Sequence, residues 1–386
     1  MIMQRKLTLT LATSMMMFPQ VVETIYSPAL THIAVGFDIS AEVAAQTLSS
    51  YFFAFAFGVV VWGRLCDVIG RRSVILLGLG IYLLASMIAL FSDSFGLLLG
   101  ARVIAAFGAA VGSIGTQTAI RDCFTGYELA QVFSLMGIAM AISPAVGILS
   151  GTVLTHYWGF QGVFAGLAVL AAILLGYAAW KMPETGPKQR VQNPFFSTFK
   201  QMLKDADIWR SAMLVAGLNT SMFSYYQLAP FHFKTLAIPP QWFGYTGLVL
   251  AVGVSLGAVV NKRLVARHWL FIPLLILAGG LGLLGGIAML ALENTFWFVF
   301  AMIPVVMAYG IAIPNILARA LRRYNDCIGT AGAILGLMYY MMLGAGLVLA
   351  GLSQRLSFVL IFCALLMGLM ILSIMREERK FNTVRG

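Results

Sequence analysis

Charge is scarce in this chain: Asp, Glu, Lys and Arg make up 10% of its 386 residues, whereas 60% are apolar. Soluble domains carry roughly 25% charged residues, so an ordinary soluble globular domain is excluded. Cysteine is also sparse. Cys66, Cys123, Cys327 and Cys363 form no CxxC pair, and neither a disulfide nor a metal site is expected. His32, His156, His232 and His268 are scattered over separate loops without ligand spacing that would favour zinc. The sequence has no GxSxG, no HExxH and no GxxxxGK[ST] loop, which argues against a hydrolase and against ATP as an energy source.

What remains is long apolar runs. A membrane-crossing helix needs about 20 mostly apolar residues. Twelve such segments can be placed, near 7–28, 44–63, 74–92, 95–119, 129–155, 160–180, 209–232, 241–261, 270–291, 296–318, 328–352 and 356–375. An all-α integral membrane protein is expected. The first segment follows Arg5 and Lys6 as a signal peptide would, but its length, Pro19, Glu23 and the lack of a small-x-small cleavage site predict a retained span.

The net charge of +11 is a matter of topology. Twenty-two of the 25 Lys and Arg fall in alternate loops and at both ends, Lys234 and Arg355 fall on the other side, and Arg102 lies within a span. The positive-inside rule then predicts that both termini are cytoplasmic, in a multi-pass inner-membrane protein with no nucleic-acid partner. The longest polar interruption, Lys181 to Arg210, contains Pro183, Pro187 and Pro194 and divides the spans six and six. This predicts two pseudo-repeated halves, 1–180 and 209–386, joined by a linker at 181–208. Phe195, Phe196, Phe199, Met202 and Leu203 recur there at helical spacing beside Lys200 and Lys204, the pattern of an amphipathic helix lying on a membrane surface.

The densest charge lies between the second and third spans, in Gly63-Arg64-Leu65-Cys66-Asp67-Val68-Ile69-Gly70-Arg71-Arg72. This stretch resembles the GxLaDrxGrr signature of the major facilitator superfamily. Tyr26-Ser27-Pro28-Ala29-Leu30, Arg121-Asp122-Cys123-Phe124, Ser224-Tyr225 with Ala229-Pro230-Phe231, Pro314-Asn315 with Ala318, and Gly329-Thr330-Ala331-Gly332-Ala333 are similar to the Bcr/CflA branch of its drug:proton antiporters. The resemblance implies the twelve-helix, two-half fold of that superfamily and transport by alternating access. On physical grounds the charged loop reads as a conformational latch that must break to open inward. Gly63 permits close packing, Asp67 accepts hydrogen bonds from a neighbouring helix amino terminus or from Arg71, and Arg64, Arg71 and Arg72 reach Asp122 or lipid phosphates, with Gly70 and Arg121 counted in the same latch. The loop after the eighth span, Asn261 to Arg267, is expected to be its weaker counterpart.

Glu23 lies inside the first span, where an ionisable group is expensive enough to imply function. It is the candidate proton-coupling acid, although the resemblance places the usual carboxylate four residues before Pro28, where this chain has Thr24. Arg102 is the only base within a span, and Leu98-x-x-x-Arg102-x-x-Ala105-Ala106-x-Gly108 resembles the fourth-helix signature of proton-coupled members, with Ala105 and Ala106 where Gln and Gly are usual. It is expected to steer Glu23 or to bind an anionic group. Small and polar residues, including Ser113 and Gln117, follow it at helical spacing. In the fifth span Gly137, Pro144, Gly147 and Gly151 are close to the antiporter signature, and Pro144 with Gly147 is expected to form a kinked hinge. Substrate contacts are expected from Met15, Met16, Met17, Asn219, Phe223, Tyr225, Tyr226, Gln227, Tyr339 and Tyr340, because soft and aromatic side chains suit amphipathic organic ligands. The reading is a proton-driven exporter of small amphipathic compounds, working as a monomer among membrane lipid with no cofactor beyond the coupling proton. A dedicated metabolite or siderophore exporter, or an importer, are the alternatives.

Overall fold

The computed structural model describes residues 7–185 and 195–385. Arg5, Lys6, Lys188, Arg190, Pro187 and Pro194 of the sequence reading lie outside them. Every regular element among the described residues is helical. The chain runs through α1 (Leu9–Thr24), a 3-10 turn (Ser27–Ala29), α2 (Leu30–Gly36), α3 (Ala41–Ile69), α4 (Arg71–Leu90), α5 (Phe95–Cys123) and α6 (Gly126–Lys181). After the linker come α7 (Phe195–Lys204), α8 (Ala206–Thr235), α9 (Gln241–Ala266), α10 (Phe271–Leu292), α11 (Phe298–Ala320), a second 3-10 segment (Arg322–Cys327), α12 (Ile328–Ser353) and α13 (Leu356–Arg385).

Local chemistry sets several of these boundaries. The Ser40 and Ser94 hydroxyls accept from the amides of Val43 and Leu97, capping α3 and α5, and Asp205 caps α8 by accepting from Asp207. Gly70 alone separates α3 from α4 at φ 92°, a torsion that glycine adopts without steric cost.

Nine helices among the described residues are long and apolar enough to cross a membrane. They account for ten crossings, because the 56 residues of α6 span roughly 84 Å against a hydrocarbon core of about 30 Å, and α6 turns back at Gly159. There φ is 62° and ψ −159°, a backbone geometry essentially restricted to glycine. The sixteen-residue α1 completes an eleventh crossing by continuing through the 3-10 turn into α2. The thirty-residue α8 makes the twelfth, its hydropathy lowered by residues such as Asn219, Gln227 and His232. Exposed Tyr157, Trp158, Trp242 and Trp297 ring one end of the bundle, and Trp180, Trp209 and Trp269 the other, as aromatic side chains do at membrane–water boundaries.

The turn between the fifth and sixth crossings and the expected hinge residues lie at different places in α6. α6 runs as uninterrupted helix through Pro144, and its non-helical residue is Gly159. Gly147 is a packing point: an added Cβ there would lie 2.9 Å from the Val21 carbonyl oxygen and 3.1 Å from the Ile25 amide nitrogen of the chain entering the 3-10 turn.

The first six crossings meet the last six along two seams, α3 against α12 and α6 against α9. The amphipathic α7 lies on α12 and α8 and buries Thr198 and Met202. Its Phe196 stays exposed at the rim of a cavity.

Candidate functional site

The end of the bundle that carries Asp67 and Asp122 holds the charge cluster expected from the sequence. Arg71 is buried, with its Nε 2.8 Å from Asp122, an Nη 3.3 Å from Asp67, and a second Nη donating to the Cys66 carbonyl at 2.8 Å. The Glu184 carboxylate caps the start of α4, accepting from the amides of Arg71 at 2.8 Å and Arg72 at 3.2 Å. Carboxylates are favoured at helix amino termini, and a lone acid just after a span was the available signal. The Arg72 guanidinium donates to the Ala179 carbonyl.

All of these bonds fall within residues 66–185, and they are formed while the cavity between the two sets of six stands open at the same end. In this conformation the cluster is a brace within the first six crossings. Gly63 would tolerate a side chain, since an added Cβ would make only ordinary contacts with Ile114 and Ala333. Arg121 lies over the Phe133 ring instead of pairing with Asp122.

In the Asn261–Arg267 stretch no ion pair joins Lys262, Arg263 or Arg267 to an acid among the described residues. The charged ties of the last six crossings run from Arg210 to Asp207 and Glu377, and from Arg319 to Glu378. Tyr324 donates to Asp205 nearby; burial and that acid push its hydroxyl up to about 12, so it remains a donor at physiological pH.

The cavity has a volume of about 1210 Å³. Its walls come from α3, α5, α11 and α12, with Gln117, Tyr339 and Tyr340 among the residues expected to contact substrate. Val59, Ser113, Ala318 and Gly336 also line it. Met16, Asn219, Phe223 and Tyr226 do not; they are buried in helix packing. Asn219 spends its amide on the Val215 carbonyl.

The inner end of the cavity is closed by aromatic rings. Tyr340 meets Tyr339 at 4.3 Å with the rings tilted at 42° and meets Phe55 at 4.9 Å, while Phe52 crosses to Phe223 at 4.6 Å. Tyr51, Phe52 and Phe55 are completely buried and were not singled out in the sequence. Their spacing of one and three residues is ordinary for a packed helix, so only the facing helices reveal the layer.

Behind this floor lie Glu23 and Arg102, each 1% exposed. The Arg102 guanidinium sits 4.0 Å from the centre of the Tyr26 ring and 4.7 Å from that of Tyr51. Such cation–π contacts stabilise a desolvated cation by about 2 kcal/mol. All three guanidinium nitrogens and one Glu23 carboxylate oxygen lack hydrogen-bond partners. No ion pair joins the two residues, although they are close enough for their charges to interact. Unpaired buried polar atoms carry a desolvation cost, which both residues of this chamber bear. The sequence reading expected Arg102 to steer Glu23 or to bind an anionic group, and the fold sets the two residues within reach of each other's charge.

The family model for the Major Facilitator Superfamily matches residues 11–351. Multidrug resistance protein D of Escherichia coli is 25% identical over 357 residues, covering 87% of this chain and 86% of that protein. A chloramphenicol resistance protein of Pseudomonas aeruginosa is 28% identical over 332 residues, with 83% and 78% covered. An uncharacterized transporter of Rickettsia bellii is 27% identical over 341 residues, 84% of each chain. The fold is that of a D-xylose–proton symporter crystal structure, with a TM-score of 0.75 at 14% identity over 93% of this chain and 96% of that one. The drug-resistance relatives agree with the Bcr/CflA resemblance read from the motifs. By the extent of the family match and the twelve-crossing fold, the chain belongs to the Major Facilitator Superfamily.

Proposed function

We propose that this transporter exports small amphipathic organic compounds across the inner membrane in exchange for protons, with both termini cytoplasmic and the cavity facing the cytoplasm. One observation carries the reading: a single-ended cavity stops at an aromatic floor, behind which a buried base and one oxygen of a buried acid are held without hydrogen-bond partners. Substrate enters from the basic end and rests on Tyr339 and Tyr340 beside Gln117. Rocking of the two halves then parts the floor and opens the opposite end. Glu23 exchanges its proton there, and Arg102 biases that exchange through its charge. The Arg71 brace keeps the first half rigid during the movement. The drug-resistance relatives support this substrate class.

The unpartnered Arg102 nitrogens favour a second reading, a dedicated exporter of an anionic metabolite or siderophore. Everted vesicles carrying a pH gradient distinguish the two when challenged with cationic, neutral and anionic amphipathic compounds. Gradient collapse by cationic or neutral compounds in wild type but not in Glu23→Gln is the expected result. Collapse by anions alone selects the second reading, and an unaffected Glu23→Gln removes that residue from the mechanism.

A further inference from the structure

The end of the bundle opposite the cavity is closed by side chains that cross between the two sets of six helices. Gln227 of α8 is fully buried. Its amide nitrogen donates to the Ala45 carbonyl of α3 at 2.8 Å and to the Leu347 carbonyl of α12 at 3.1 Å, with the Ser49 hydroxyl at 3.4 Å. Beside it, Gln46 of α3 donates to the Val348 carbonyl of α12 at 3.3 Å, and the Ser27 hydroxyl donates to the Tyr226 carbonyl. Every one of these bonds joins residues before the linker to residues after it, or fastens α8 to both α3 and α12. They contrast with the Arg71 brace, whose bonds stay within the first six crossings.

We infer that Gln227 is the reversible fastener of this closed end, a positioning residue for the conformational step. The inference rests on the alternating-access reading above. Its chemistry suits the task. Carbonyls within helices keep a second lone pair, so Ala45 and Leu347 accept from Gln227 without giving up helix bonds. The Gln227 carbonyl oxygen has no partner, which leaves the closed arrangement incompletely satisfied. Opening the seam exchanges the neutral Gln227–Ala45 hydrogen bond for bonds to water, a small net change, while the bond to Leu347 lies within the last six crossings. Gly351 makes the arrangement possible: an added Cβ would lie 2.7 Å from the Gln46 amide nitrogen and 3.1 Å from that of Gln227. Both are mobile side-chain tips, so a methyl there displaces the amides from their carbonyls without disturbing the backbone. The packing of α3 on α12 would survive in Gln227→Leu; the two donated bonds would not.

The test uses full-length protein in lipid nanodiscs, with its four native cysteines replaced and spin labels attached at Glu42→Cys and Arg355→Cys. These exposed positions flank the seam at the start of α3 and the start of α13. The second readout is alkylation of Ala318→Cys, an exposed position in the cavity wall, by a water-soluble maleimide. Gln227→Leu and Gln227→Glu should add a longer inter-label distance and shift the equilibrium roughly tenfold, the worth of one to two ordinary hydrogen bonds. Ala318→Cys alkylation should fall in parallel as the cavity closes, and Gly351→Ala should act in the same direction. A wild-type distance distribution in both Gln227 variants would overturn the inference. So would a longer distance without slower alkylation, which would indicate loosened packing. If Gln227→Glu does not give a monodisperse, helical preparation, Gln227→Leu and Gly351→Ala decide. The distances are read without substrate or gradient, so failure of proton-driven export would be a separate result.

Discussion

At the residue scale, the two acids facing Arg71 separate by solvent access and geometry. The Asp122 side chain is 23% exposed and lies 2.8 Å from Nε, whereas Asp67 is 65% exposed and 3.3 Å away. Exposed ion pairs contribute little, while uncovering a buried guanidinium is costly. Asp122→Asn should therefore destabilise the protein by about 2 kcal/mol, and Asp67→Asn by under about 0.5 kcal/mol, as thermal unfolding in detergent would reveal. Equal losses would show that the exposed Asp67 carries as much of the brace as Asp122. From sequence the order runs the other way, because Asp67 sits in the recognisable motif and Asp122 lies 55 residues further along. The local pattern identified the charged set, but exposure decides which member matters energetically.

At the element scale, small residues let helices touch backbone to backbone. The close crossing of α4 and α5 depends on Gly108, where an added Cβ would lie 2.7 Å from the Gly78 carbonyl oxygen and 2.9 Å from the Tyr82 amide nitrogen. These are backbone atoms and cannot yield cheaply. Gly80, two residues along α4 and so on the opposite side of the helix from Gly78, has open space around it. Gly108→Ala should cost about 1–3 kcal/mol in thermal stability, while Gly80→Ala should be neutral or stabilising by up to about 1 kcal/mol through helix propensity. Similar losses in both would mean that the crossing is not set by close approach. The spans themselves were legible along the chain because apolar length is a local property. The turn of α6 at Gly159 falls between the segments read at 129–155 and 160–180, whereas the unbroken helix through Pro144 is visible only in the structure.

At the scale of the whole molecule, the cavity draws its walls from both sets of helices, and this separates wall residues from core residues that look alike in sequence. Tyr340 lines the cavity, whereas Met16 is 4% exposed in the core. For whichever compound collapses the gradient, Tyr340→Ala should raise the apparent KM roughly tenfold through loss of an aromatic contact. Met16→Ala should lower the melting temperature while leaving KM within about twofold of wild type. A large KM change in Met16→Ala would place the ligand deeper than the aromatic floor.

Composition and run length by themselves determined that this is a helical membrane protein, and the charged loop with its companion motifs determined its superfamily, since each is written in contiguous residues. An acid and a base inside apolar spans were likewise conspicuous one at a time, because their cost depends on depth alone. Their shared chamber, the aromatic floor in front of it and the Gln227 seam at the far end were decided only by tertiary structure. Each is assembled from side chains on helices far apart in the chain. Gln227 shows the reason most directly: it reads in sequence as one more polar residue on a cavity-facing helix, and its bonds to Ala45 and Leu347 span separations of 182 and 120 residues.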